Sequence, residues 1–163
     1  MMKRIIQLLL AACVLSLVPV ANASAQKKTL TEKELQFRNG IERILKQEGY
    51  APTIDNDDNS LNWKSDGASY WLTVKGEDPY YITMHIGGFN LNDANEKIAL
   101  EACNYVNMNK RCVKACVDDG SVVFTTEYYC HSLQNFRDTF DDYMHCLSYS
   151  KDALKTYYNE HDN

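Results

Sequence analysis

Apolar side chains at Phe37, Ile41, Ile44 and Leu45 recur three and four residues apart, which lines one face of a helix. Thr31-Glu32-Lys33-Glu34 ahead of them is a capping box. The Thr31 hydroxyl is placed for the Glu34 amide and the Glu34 carboxylate for the Thr31 amide, with Leu30 and Leu35 as a hydrophobic staple. A helix is therefore predicted from Glu32, stopped by Gly49 and Pro52. Gly40 inside it costs about 1 kcal/mol relative to alanine. The period then falls from 3.6 to 2. Leu61 and Trp63 alternate with Asn62 and Lys64; Tyr70, Leu72 and Val74 with Trp71 and Thr73; Ile82, Met84 and Ile86 with Tyr81, Thr83 and His85. This pattern predicts a three-stranded antiparallel meander turning at Ser65-Asp66-Gly67 and Gly76-Glu77-Asp78-Pro79. Asn92 or Asp93 is placed to cap a second helix carrying Ile98, Ala102, Tyr105 and Val106, which ends at Lys110 and Arg111. Asp119-Gly120 predicts a hairpin joining Cys112–Asp118 to Ser121–Tyr129. Ser132 caps a last helix carrying Leu133, Phe136, Phe140, Tyr143, Met144, Leu147 and Leu154.

The order helix, three strands, helix, two strands, helix predicts a single α+β domain over residues 31–160, with an antiparallel five-stranded sheet and the helices mainly on one face. Strand parity then says which side chains face away from the helices. A two-residue Asp119-Gly120 turn makes partner numbers sum to 239, so Val117 faces Val122, Ala115 faces Phe124 and Val113 faces Thr126 on the apolar side. Cys112, Lys114 and Cys116 fall opposite Glu127, Thr125 and Val123 on the other side. In the meander the same parity turns Trp71, Thr73, Tyr81, Thr83 and His85 outward. Antiparallel sheets commonly leave one face in water, and aromatics there either pair across strands or form the amphipathic patch that protein interfaces favour. The candidate binding residues are Trp71, Thr73, Tyr81, Thr83, His85, Lys114 and Thr125.

Residues 1–25 predict an address. Met1-Met2-Lys3-Arg4 is cationic, Ile5 to Val20 is nearly unbroken apolar, and Ala21-Asn22-Ala23-Ser24-Ala25 offers small residues at signal-peptidase spacing. The run is shorter than a bilayer span and holds Pro19, so cleavage is expected over anchoring, with periplasmic or secreted localisation and no membrane insertion afterwards. Leu10-Ala11-Ala12-Cys13 has the form of a lipobox and offers lipid anchoring through Cys13 as the alternative. Residues 26–30 are a short polar leader. Loss of Lys3 and Arg4 takes the formal charge from −5 to −7, and an acidic domain lacks the clustered cations that nucleic acid or anionic membranes require.

The chemically suggestive clusters each fall short of a site. Asp55-Asn56-Asp57-Asp58-Asn59 resembles the start of a calcium loop, but Ser60 stands where that register needs glycine and Asp66 where it needs glutamate; a solvated turn is expected. Cys103, Cys112, Cys116, Cys130 and Cys146 remain after cleavage, an odd number for an exported chain. Cys112 and Cys116 on one strand stand about 13 Å apart, beyond the roughly 7 Å reach of a disulfide. Cys103 with Cys146 is the first pair to consider, with all five as small buried hydrophobes the other reading and the pairing otherwise open. A zinc site drawn from Cys112, Cys116, Cys130, His131, His85 or His145 lacks knuckle spacing, so no metal or cofactor is expected. Hydrolase motifs and phosphate loops are missing, and Asp141-Asp142 sits on a polar helix face, so no catalytic residue is assigned.

A helix ending Gly49-Tyr50-Ala51-Pro52, an Asp/Asn-rich turn before the Trp63 strand, the Tyr70-Trp71 strand, Cys103-Asn104-Tyr105-Val106-Asn107, and Val113-Lys114-Ala115-Cys116-Val117-Asp118-Asp119-Gly120 together resemble the YbjN family. The resemblance spans about residues 31–157 and implies a fold similar to type III secretion chaperones and a sensory, regulatory or chaperone-like role without an agreed active site. The export segment separates this chain from the usual cytosolic member. The expected function is thus an exported, non-catalytic protein-binding or regulatory module that meets a protein partner or a second copy of itself. A thiol-based redox sensor using Cys112 and Cys116, with Lys114 as cationic neighbour, is the alternative, and an uncharacterised enzyme the second.

Overall fold

The computed structural model describes residues 29–91 and 96–161. Its elements run α1 (Glu32–Gln47), β1 (Thr53–Ile54), β2 (Leu61–Ser65), β3 (Ala68–Lys75), β4 (Tyr80–Asn90), α2 (Glu96–Asn109), β5 (Lys114–Asp118), β6 (Ser121–Cys130) and α3 (Leu133–His161). The segment predicted to direct export, with Cys13, and the predicted Asn92 or Asp93 cap lie outside the described residues. The strands form one antiparallel sheet of order β1-β2-β3-β4-β6-β5. It has six strands where five were expected. The extra strand is Thr53–Ile54, too short to show a period, directly after Pro52, whose missing N–H prevents the ladder from extending further back.

Helix α1 starts as its capping box predicts: the Thr31 hydroxyl accepts from the Glu34 amide at 3.2 Å, and Glu34 Oε2 accepts from the Thr31 amide at 2.8 Å. The other oxygen of Glu34 accepts from the Gly76 amide at 2.6 Å, and Thr31 Oγ1 donates to Glu77, so one motif both starts the helix and holds the β3–β4 turn. Gly49, at φ 92°, ends α1 in the left-handed region, and the Tyr50 amide donates back to the Leu45 carbonyl at 2.9 Å. Both two-residue hairpin turns, Asp66-Gly67 and Asp119-Gly120, have positive φ throughout, the geometry whose twist matches the strands they join. The acidic loop closes on itself, Asp55 Oδ1 accepting from the Asp57 amide and Asp58 Oδ1 from the Ser60 amide, both at 2.8 Å, which is the expected turn.

Inward-facing residues of every long strand are buried: Leu61 and Trp63 on β2, Tyr70, Leu72 and Val74 on β3, Ile82, Met84 and Ile86 on β4, Val122 and Phe124 on β6. Against them pack Ile41 and Leu45 of α1, Ala102 and Val106 of α2, and Phe136, Phe140, Leu147 and Leu154 of α3. Stacked or edge-on aromatics link the layers, with Phe37 on Tyr80 at 3.8 Å between centroids and Tyr128 on Tyr143 at 3.9 Å. Burying this one apolar face is what commits all three helices to the same side of the sheet. At the far edge, Asn107 of α2 donates to the Ala115 carbonyl at 2.9 Å and accepts from the Ala115 amide at 2.8 Å. A side-chain amide thereby stands in for the missing neighbour of edge strand β5.

Strand β5 begins at Lys114, two residues later than expected. Cys112 has φ 64°, which turns the chain out of the sheet, so neither Cys112–Glu127 nor Val113–Thr126 forms a ladder pair. From Lys114–Thr125 to Asp118–Ser121 the pairing is the predicted one.

Candidate protein-binding face of the sheet

The open face is built by strand pairing that brings distant residues into rows. Asn62 pairs with Trp71, Trp71 with His85, His85 with Thr125 and Thr125 with Lys114, one continuous row across β2, β3, β4, β6 and β5. The next row is Thr73, Thr83 and Glu127, and the one beyond it Lys75, Tyr81 and Tyr129. All seven candidate residues therefore share one face, opposite the buried one. Trp71, Thr73, Tyr81, Thr83, His85 and Thr125 are half-buried and Lys114 is exposed. Asn62, Glu127 and Tyr129 complete the surface; Tyr129, 66 % exposed, is its most prominent ring. Parity along β6 placed Glu127 outward and extends directly to Tyr129, but only the β4–β6 pairing puts Tyr129 beside Tyr81.

Local contacts give this face a fixed shape. The Trp71 and His85 rings stack with centroids 4.8 Å apart and planes 10° from parallel. His85 Nδ1 lies 2.8 Å from Thr125 Oγ1, which fixes the imidazole in its own plane. Burial under Trp71 holds the His85 pKa below its ordinary value, opposed by the charge of Glu127. Lys114 Nζ sits 2.6 Å from Glu127 Oε2; this contact, followed by the Tyr81 hydroxyl, lowers the Glu127 carboxyl. Tyr81 packs on Tyr129 at 5.4 Å. A cleft of about 560 Å³ at the β1 edge continues the surface past Trp71, lined there by Thr53, Asn62, Lys64 and Ser69. The arrangement offers flat rings, hydroxyls and one amide to an extended surface, and its single imidazole is already committed to a threonine.

The cysteines are distributed differently from expectation. Cys116 sits at the rim of the open face opposite Val123, while Cys112 has left the sheet, so the proposed sensor pair is not assembled. Lys114 is engaged with Glu127, and burial, then Asp118, pushes the Cys116 thiol up, opposite to what a reactive sensor thiol needs. Cys103 is buried on α2 and Cys146 half-buried on α3. All five described cysteines are free thiols. Cys130 is buried and donates to the Ser132 carbonyl at 3.2 Å. Among the described residues, no group of three or more His, Cys, Asp or Glu side chains is placed to share a metal ion, and no helix is long and apolar enough to cross a membrane.

The profile of the YbjN family, described as "Putative bacterial sensory transduction regulator", matches residues 38–160. The chain belongs to the YbjN family. Among solved structures it is similar to YbjN from E. coli, a "putative transcription regulator", at 12 % identity and a TM-score of 0.52, over 76 % of this chain and 92 % of that one. At that identity the likeness establishes the shared YbjN fold. Curated proteins gave no match to the sequence.

Proposed function

We propose that this YbjN-family protein is a non-catalytic binding module of regulatory or chaperone-like type, working outside the cytosol and holding a protein partner against its open sheet face. The observation that carries this reading is the unbroken row Asn62, Trp71, His85, Thr125 and Lys114 across five strands, on the side of the sheet away from the helices. A stacked Trp–His pair is flat, amphipathic and already ordered, so a partner covers it at little entropic cost. The flanking threonines and the Lys114–Glu127 pair supply a polar surround of the kind found at interface rims. A regulatory family description and the absence of catalytic motifs in the sequence agree with binding as the activity.

The test is a comparison of the wild-type protein with Trp71→Ala, each tagged and recovered from the cell envelope. A specific protein, or a second copy of this chain, should accompany the wild type and be reduced at least tenfold with the variant, at matched thermal stability. Equal recovery with both would remove the sheet face from the account. The extracytosolic location has its own test in the intact mass of the protein: an amino terminus at Ser24 or Gln26 supports cleavage, and retention of residues 1–23 or a diacylglycerol on Cys13 contradicts it.

A further inference from the structure

The connection from α2 to β5 is tied to the middle of α3, and each of these two segments carries a cysteine, Cys112 and Cys146, 34 positions apart in the chain. Lys110 Nζ stands 4.1 Å from the centroid of the Tyr149 ring, which pins the start of the connection to α3. Tyr143, six residues before Tyr149, stacks on Tyr128 of β6 at 3.9 Å, which pins the same stretch of α3 to the sheet next to β5. Cys146 lies midway, three residues from each tyrosine and so on the same side of the helix. Cys112 lies between Lys110 and the first β5 residue, Lys114, at the point where a positive φ turns the chain. The Cys112 thiol also contributes, after burial, to raising the Tyr143 hydroxyl and the Cys146 thiol, in keeping with that placement. Cys112 is exposed and Cys146 half-buried, so a small reagent reaches the first thiol and the second waits behind it.

We infer that Cys112 and Cys146 are the site of an intramolecular disulfide that staples the α2–β5 connection to α3. The step is thiol–disulfide exchange with an external disulfide, such as that of a thiol oxidase or oxidised glutathione. The Cys112 thiolate attacks one sulfur of the external disulfide, forming a mixed disulfide and releasing one thiolate. The Cys146 thiolate then attacks Cys112 Sγ and expels the second. Two protein thiols are oxidised, one external disulfide is reduced to two thiols, and the two protein protons pass to those thiolates. Cys130 is set apart by burial and its bond to Ser132, and burial lifts the Cys103 thiol to about 11; burial raises the Cys146 thiol as well, so its attack relies on being held beside the mixed disulfide and not on a ready thiolate. The staple lies on the helix side of the sheet, so its failure leaves the binding-face proposal untouched.

Incubation of the purified protein with a glutathione redox buffer, acid quench, alkylation and non-reducing tryptic mass mapping tests the inference. Cleavage after Arg111, Lys114, Arg137 and Lys151 puts Cys112 and Cys146 on separate peptides, distinct from those carrying Cys103 and Cys116. The expected product is the Cys112–Cys146 linked pair in wild type and in Cys116→Ser, with Tm raised by roughly 5–10 °C on oxidation. In Cys146→Ser the link and the Tm shift should vanish and Cys112 should retain glutathione; Cys112→Ser, at an exposed position, provides the second variant lacking both. A Cys103–Cys146 or Cys112–Cys116 link, or a wild-type protein that stops at glutathione on Cys112, would overturn it.

Discussion

Two tryptophans one sheet-thickness apart offer a direct comparison of the two faces. Trp63 on β2 points toward the helices, is 3 % exposed, stacks on Tyr70 at 5.6 Å and packs against Phe140. Trp71 on β3 is half-buried, and among the described residues its ring stacks on His85 on the open face. Truncating a buried tryptophan removes its transfer energy and leaves a cavity, about 3–5 kcal/mol, whereas removing a surface ring that stacks on one neighbour costs about 1 kcal/mol. A domain of this size loses roughly 3–5 °C of Tm per kcal/mol. Trp63→Ala should therefore lower Tm by about 10–20 °C and Trp71→Ala by about 5 °C or less, read by circular dichroism at one pH and concentration. If Trp63→Ala does not fold, Trp63→Leu fills part of the cavity and retains the contrast. Equal, large losses in both variants would mean that Trp71 belongs to a second core and that the face is not open.

Other consequences follow from the same geometry. Gly88→Ala would place a Cβ 2.8 Å from the Val122 carbonyl oxygen and 3.2 Å from Phe124, inside the β4 irregularity where neither can move away; chemical denaturation should register a loss of about 1–3 kcal/mol. Asn107→Ala frees both the amide and the carbonyl of Ala115 on the β5 edge, so stability should fall by about 1–2 kcal/mol and light scattering should show increased self-association. His85, with a folded pKa depressed by burial, disfavours protonation in the native state. Its contribution is intact above the ordinary histidine value of 6.5 and is lost as pH falls below it, so Tm should decline between pH 7 and 5 and decline less in His85→Gln.

Much of this architecture was readable because its signals are local. Thr31 and Glu34 are three residues apart, so the cap that starts α1 is written in one short string. The Asp119-Gly120 turn sets the register of β5 and β6 because two residues leave the strands only one way to meet. Alternation along β3 and β4 assigned Trp71 and His85 to the outer face for the same reason. What escaped is non-local. That β6 inserts between β4 and β5, placing Tyr129 beside Tyr81 and Thr125 beside His85, depends on long-range pairing that no turn specifies. Strand β1 has two residues and no period. The positive φ of Cys112, at a residue type that seldom adopts it, turned Cys112 out of the sheet, and no spacing in the sequence signals such a turn.

Site-specific photo-crosslinking tests the binding-face account most directly. Thr83 is half-buried at the centre of the open face, between Thr73 and Glu127, and Asp138 is exposed on α3 on the opposite side of the molecule. A benzophenone amino acid introduced at each position in turn, in the protein at its native level, records what touches each surface. The account predicts a discrete adduct, to one partner or to a second copy of this chain, from position 83 and none of comparable yield from position 138. No adduct at 83, or equal adducts at both, would contradict it.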